Sequence, residues 1–225
     1  YMPNGNYFLI FYARDTGSSG TSYLYVRAAK VSMDGSNATI TKSNDQAVSS
    51  ATTCTRFTVV YDPDVQKVLV MYTLHSASAT KEIHTRYVNC SALEAGDQLV
   101  ENASIISTSD IGTLTSFDVT LPSASDSFGN FILAYNKGID KFLMSYNEDG
   151  TFKIRVGTAA NDGNSVSWTS ATTLLSGNSG SAMAIEADLT TSFLAVYSEQ
   201  NSYPNSRPAA IVISVSGTTP TVGSA

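Results

Sequence analysis

Cysteine, histidine and charge are all scarce in this 225-residue chain, and each scarcity speaks against a class of function. Two cysteines, Cys54 and Cys90, cannot supply the disulfide framework of a small stapled domain. With only His75 and His84 beside them, a structural zinc site has too few ligands, and no metal or cofactor is expected. Neither histidine neighbours a Ser or Cys nucleophile motif, so no catalytic triad is legible. Lysine and arginine number 13 against 19 acidic residues, without any basic cluster. The net charge of −6 therefore speaks against a nucleic-acid partner. No apolar run approaches the roughly 18 residues of a membrane-spanning helix, and no membrane insertion is expected. The chain opens on Tyr1 with neither initiator methionine nor signal peptide, which reads as a mature product or a piece of something longer.

What the chain does have is β chemistry. Hydrophobic residues make up 42% and charged residues 14%, so it is no disordered chain, and its length allows a sizeable core in one domain. Polarity comes from Ser and Thr, a quarter of the chain, with many Asn, Gly and Tyr, a mix suited to strands and turns.

The strands recur. Four apolar runs end in tyrosine: Tyr7-Phe8-Leu9-Ile10-Phe11-Tyr12, Lys67-Val68-Leu69-Val70-Met71-Tyr72, Lys141-Phe142-Leu143-Met144-Ser145-Tyr146 and Ser192-Phe193-Leu194-Ala195-Val196-Tyr197. Phe57-Thr58-Val59-Val60-Tyr61, Phe131-Ile132-Leu133-Ala134-Tyr135 and Ala184-Ile185-Glu186-Ala187 precede the last three. The linkers Asp62-Pro63-Asp64 and Asn136-Lys137-Gly138 carry tight-turn residues, so each pair reads as a hairpin. A third run follows each: Tyr23–Arg27, Ile83–Val88, Phe152–Val156 and Ala210–Ile213. A weaker, more polar fourth comes next: Ala38–Ile40, Gln98–Val100, Ser165–Trp168 and Thr219–Val222. Four strands every 51 to 74 residues is the size of a propeller blade. The expected fold is an all-β propeller of four four-stranded antiparallel repeats, about 1–50, 51–108, 109–176 and 177–225, in one domain. The first repeat lacks its first strand. Either the C-terminal end supplies it, or the chain is part of a larger propeller, which is the preferred reading.

Tyr61-Asp62-Pro63-Asp64 through Tyr72, and Arg155-Val156-Gly157-Thr158 through Ser167-Trp168-Thr169-Ser170, carry a resemblance. The chain resembles the tandem propeller repeats of marine bacteriophage tail and virion proteins, also found in large secreted algal proteins. That repeat runs as a Tyr-Asp-Pro turn, Lys with aliphatics and Tyr, a Val-Gly-Thr strand, then a Ser-rich strand with an aromatic. The resemblance implies a fold and an exterior setting, virion surface or secreted, and carries no catalytic residues.

Candidate chemistry is thin. Asp62 and Asp64 fall short of the six or more oxygens of a calcium cage and read as a hairpin turn. Ser145–Phe152 is similar to a sialidase Asp-box with its Gly one place late. Arg27, Arg86 and Arg155 hold matching positions in three repeats, as a carboxylate-binding triad would; the simpler reading is a scaffold residue with packed stem and hydrated head. The glutamates are scattered, with no pair poised across one sugar. Cys54 and Cys90 fall at opposite ends of one meander, too far apart to bridge, so both are expected as thiols. Asn37-Ala38-Thr39, Asn89-Cys90-Ser91 and Asn102-Ala103-Ser104 are sequons, a number that chance also gives; in a secreted eukaryotic protein Asn37 and Asn102 are the expected glycan carriers. Ser109–Gly129 reads as a long loop, and binding is placed there, on Phe117, Pro122 and Phe128. The expected function is a non-enzymatic structural or adhesive module of a virion appendage or extracellular fibre. Its partners are other subunits, as a homo-oligomer or part of a larger assembly, and surface glycans. A sialidase-like glycosidase or a lectin on the same scaffold is the alternative.

Overall fold

In the computed structural model the described residues are 7–15, 22–49, 54–74, 80–94, 99–120, 131–148, 151–175, 183–188, 190–200 and 206–224. They form an all-β structure of four antiparallel sheets that follow one another along the chain. The first sheet holds β1 (Tyr7–Asp15), β2 (Ser22–Asp34), β3 (Asn37–Lys42) and β4 (Gln46–Ala47), with β3 and β4 both on β2. The second is β5 (Cys54–Asp62), β6 (Lys67–Leu74), β7 (Thr80–Asn89) and β8 (Thr115–Thr120), in that order. The third is β9 (Phe131–Asn136), β10 (Lys141–Glu148), β11 (Thr151–Ala159) and β12 (Val166–Trp168), with β13 (Thr172–Leu175) also on β11. The fourth is β14 (Met183–Ala187), β15 (Ser192–Gln200), β16 (Ser206–Ser216) and β17 (Thr219–Val222).

The repeat is therefore present in three dimensions. The tyrosine-ended runs are β1, β6, β10 and β15, and Tyr12, Tyr72, Tyr146 and Tyr197 occupy equivalent places. β6 and β10 read as continuous apolar runs because both their faces are buried. In β15 burial alternates instead: Phe193, Ala195 and Tyr197 point inward while Leu194 and Val196 meet solvent.

Three apolar clusters join the sheets in a row. Leu24, Val26 and Ala28 of the first sheet pack with Val70, Tyr72 and Val88 of the second. Leu69, Met71 and Tyr87 pack with Phe142, Met144 and Tyr146 of the third. Leu143, Ile154 and Val156 pack with Phe193, Ala195 and Ile213 of the fourth. Among the described residues no such cluster joins the first sheet to the fourth.

Three details differ from the sequence reading. The fourth strand of the second sheet is not Gln98–Val100 but β8, inside the stretch read as a long loop, so the second sheet runs to Thr120, past 108. Val100 is exposed and Asn102 takes a positive φ of 60°, which breaks an extended course, whereas Thr115–Thr120 alternates buried Val119 and half-buried Phe117 with exposed Ser116 and Asp118. The third sheet carries five strands rather than four. The C-terminal strand does not complete the first sheet: β17 pairs with β16, and among the described residues no strand lies on the far side of β1.

The turn chemistry is shared. Asp62, Asn136 and Asp188 each accept a backbone N–H two residues on, from Asp64, Gly138 and Thr190, an Asx turn that closes the inner hairpin. Gly157, in the Val-Gly-Thr strand, is glycine for another reason: a Cβ there would lie 2.6 Å from the ring of Trp168, its cross-strand partner. The Trp168 indole in turn donates to Thr85 Oγ1 of the second sheet at 3.1 Å. Thus Gly157 lets the tryptophan lie flat on its own sheet and clasp the one before.

Candidate interaction surfaces

Each sheet has two faces, and register makes them comparable from sheet to sheet. One bears the tyrosine: Phe8, Ile10 and Tyr12 in β1, then Val68, Val70 and Tyr72, then Phe142, Met144 and Tyr146, then Phe193, Ala195 and Tyr197. The other bears a leucine: Leu9, Leu69, Leu143 and Leu194. At every junction the leucine face of one sheet meets the tyrosine face of the next. Among the described residues two faces take part in no such junction, the tyrosine face of the first sheet and the leucine face of the fourth.

Those two faces are made of the same residues as the buried junctions. Phe8 and Ile10 are 40% and 41% exposed, whereas their equivalents Phe142 and Met144 are 0% exposed. At the other end Leu194 and its cross-strand partner Val212 are 43% and 49% exposed. The equivalent pairs, Leu69 with Tyr87 and Leu143 with Val156, are fully buried. Exposure thus follows position in the row and not residue type.

The first-sheet face also carries a polar cluster. Tyr12 and Tyr25, directly cross-strand, stack with centroids 6.0 Å apart at 25°, and Tyr23 meets Tyr25 edge-on at 6.4 Å. The Arg14 guanidinium lies 4.1 Å from the Tyr25 ring centre and that of Arg27 lies 5.7 Å from Tyr12. Asp45 receives both arginines, from Arg14 Nη1 at 2.9 Å and Arg27 Nε at 2.6 Å. Its partial burial works against ionisation, yet hydrogen bonds from Tyr12 and Arg27 and both guanidinium charges hold its carboxyl below the ordinary value. The Tyr12 phenol is pushed up, by burial first and by Asp45 second.

The repeated arginines are explained by this register. Arg27, Arg86 and Arg155 sit at one strand position and pair with the tyrosine of their own sheet: Arg155 Nε donates to the Tyr146 hydroxyl at 3.1 Å, and Arg86 bonds Tyr72. Arg155 also reaches across the junction to lie 4.2 Å from the Phe117 ring centre. The three side chains belong to three successive sheets, and each is engaged locally: Arg27 with Asp45, Arg86 with Tyr72, and Arg155 with Tyr146 and the Thr169 carbonyl.

A second cluster escaped the sequence. The hairpin turns of the second and third sheets bring Asp62, Asp64 and Asp140 together, one oxygen of each within 4.8 Å of the others. The Tyr87 hydroxyl donates to Asp62 at 3.1 Å, and the Tyr135 hydroxyl lies 2.8 Å from Asp64 and 2.9 Å from Asp140. Burial pushes the Asp62 carboxyl up against the lowering effect of hydrogen bonds from the Asp64 backbone, the Tyr87 hydroxyl and the Val65 backbone. Burial and the neighbouring carboxylates likewise push the phenols of Tyr87 and Tyr135 up. The arrangement fastens two adjacent turns, and Asn136 continues the fastening by donating to Ser192 O at 2.8 Å and Asp188 at 3.2 Å. The signal was out of reach of spacing, since Asp140 belongs to a different hairpin.

The remaining expected positions fall apart from one another. Phe117 lies on β8, half-buried against Tyr146 and Arg155, while Pro122 and Phe128 lie outside the described residues. His75 also lies outside them, and His84 is buried beside Tyr72 with Glu82 at 2.6 Å. Of Ser145–Phe152, Asp149 and Gly150 lie outside the described residues, and Ser145 is buried in β10. Asn37 and Asn102 are exposed, whereas the Asn89 amide is engaged by Asp110 and Ser91. Cys54 and Cys90 are buried, in no disulfide, and lie at opposite ends of the second sheet, Cys54 opposite Leu74 and Cys90 bonded to Gln66. No family model, no curated protein and no solved structure matches the chain.

Proposed function

We propose that this chain is a non-enzymatic structural and adhesive module, four blades of a propeller-type repeat, serving in a virion appendage or extracellular fibre. One observation carries the reading: both ends of the row present the residues that the interior junctions bury, so the molecule is shaped to be continued. Exposed apolar area of this kind, rimmed by polar groups, marks association surfaces in water-borne proteins. The composition agrees, with few charges and abundant Ser and Thr. The resemblance to phage tail and algal repeats supplies the exterior setting; fold likeness alone does not assign a role. The test is fractionation of the native source. The chain should sediment with virions or fibres and resist washing, and recovery as free monomer alone would refute the reading.

The aromatic cluster of the first sheet favours a second reading, a lectin. Stacked rings flanked by Arg14, Arg27 and Asp45 offer a flat apolar platform beside donors and an acceptor, the mix that orients a sugar. Glycan-array binding lost on Tyr25→Ala would establish it; an array without signal would remove it.

A further inference from the structure

The two open faces are complementary halves of one junction, and we infer that a second copy of this chain occupies them, head to tail, so that two copies close a ring of eight sheets. The inference deepens the structural reading and rests on its propeller repeat.

Continuity with the three interior junctions is the argument. Each is heterologous: a leucine face always meets a tyrosine face, never its own kind. The fourth sheet offers Leu194, Val196 and Val212 where the second offers Leu69, Met71 and Tyr87. The first offers Phe8, Ile10 and Tyr12 where the third offers Phe142, Met144 and Tyr146. Within one copy no apolar cluster of described residues joins the first sheet to the fourth, and a second copy supplies a fourth junction of the same pattern, its first sheet against the fourth sheet of its neighbour.

Charge points the same way. The first-sheet face holds Arg14 and Arg27 against the single carboxylate of Asp45, with Lys42 on the same face by register, and Arg14 keeps half its side chain in water. The fourth-sheet face carries exposed Glu186, cross-strand from Leu194. Two first-sheet faces brought together would oppose like charges, whereas the head-to-tail pairing opposes unlike ones. Heterologous contacts either close or run on as a filament. Propellers close at about 4 to 8 blades, so two copies of this 225-residue segment, eight sheets, fit one ring and three copies do not.

Sedimentation velocity of the purified 225-residue chain across the micromolar range, with Ile10→Glu and Leu194→Glu variants, tests this. Both sites are about two-fifths solvent-exposed in the single chain, so each variant should keep the wild-type circular dichroism spectrum; Val212→Glu serves if Leu194→Glu does not. Wild type should form a species of twice 23.9 kDa. Each variant alone should weaken association by about 100-fold, because a bare carboxylate is desolvated at both junctions. An equimolar mixture of the two variants should recover dimer, since one of its two junctions is wild-type on both sides. If Leu194→Glu alone dissociates the dimer and mixing restores nothing, the contact is fourth sheet to fourth sheet and the inference is overturned. Species that grow without limit overturn the closed ring. A wild-type chain that is monomeric throughout yet sediments with native particles overturns the second copy alone, and one recovered only as free monomer overturns the structural reading with it.

Discussion

Replacing Gly157 by alanine adds one methyl group where the structure leaves no room. The new Cβ would lie 2.6 Å from Trp168 Cζ3 and 2.9 Å from two further ring atoms, against 3.4–4 Å for ordinary contact. The indole must therefore lift by close to an ångström. It cannot do so freely, because its Nε1 is committed to Thr85 and its ring packs on Phe142 at 6.5 Å. Overpacking of this kind costs about 1–3 kcal/mol, and loss of the Thr85 bond adds about 1 kcal/mol. Removing glycine from the unfolded chain returns about 0.4–1 kcal/mol. The expected net is about 1–3.6 kcal/mol of destabilisation, a Tm lower by roughly 2–14 °C at this chain length. Trp168 is the only tryptophan, so its emission reports the displacement directly. Calorimetry and fluorescence on Gly157→Ala, alone and combined with Trp168→Leu, provide the assay. The cost should largely vanish in the Trp168→Leu background. A Gly157→Ala protein with unchanged Tm and unchanged emission, or the same cost in both backgrounds, would refute the reasoning.

Three further outcomes follow from the sites described. Burial holds the Asp62 carboxyl above its ordinary value in the fold, so its stabilising protonated form is fully present only below the unfolded pKa and its contribution fades as pH rises through the folded one. Asp62→Asn, the residue type that unit three has at Asn136, should therefore gain on wild type as pH is raised from 4 to 7 in urea titrations; a pH-independent difference would contradict this. Asp188 behaves oppositely: four hydrogen bonds, led by the backbone of Ser192 and Thr190, hold its pKa down to about 2. Its contribution is present above the unfolded value of about 4 and lost as pH falls towards 2, so Asp188→Ala should flatten that part of the acid transition, and an unchanged acid limb would count against it. Burial raises the Cys54 thiol to about 11. Iodoacetamide at pH 8 should leave the native protein unlabelled at Cys54 and label it after denaturation, by peptide mass spectrometry; native labelling would contradict the burial.

The strands that were legible are those whose burial leaves a mark on composition. β6 and β10, covered on both faces, show unbroken apolar runs, and tyrosine closes each because its ring is buried while its hydroxyl finds an arginine. β8 was missed because Phe117 and Val119 are the only apolar residues of Thr115-Ser116-Phe117-Asp118-Val119-Thr120, and four hydroxyl or acidic neighbours give it the look of a loop. The acidic cluster was missed because Asp64 and Asp140 are brought together by sheet stacking, which no local spacing encodes. The repeated arginines were correctly aligned, but only the coordinates show that each braces its own tyrosine, with Arg155 leaning on the sheet before. The open faces were beyond any reading of residue type: Leu69 and Leu194 sit in near-identical runs, and only their neighbours in space differ.

Among the described residues apolar clusters join each sheet only to its sequence neighbours, and such a row has a thermodynamic gradient along it. The outer members are sealed on one side, the inner two on both, so opening should cost least at the ends and most in the middle. Backbone amides of β6 and β10 would then be the last to exchange with deuterium, and those of β1 and β16 among the first. Whatever caps the row would slow exchange at its two ends first and leave the centre as it was.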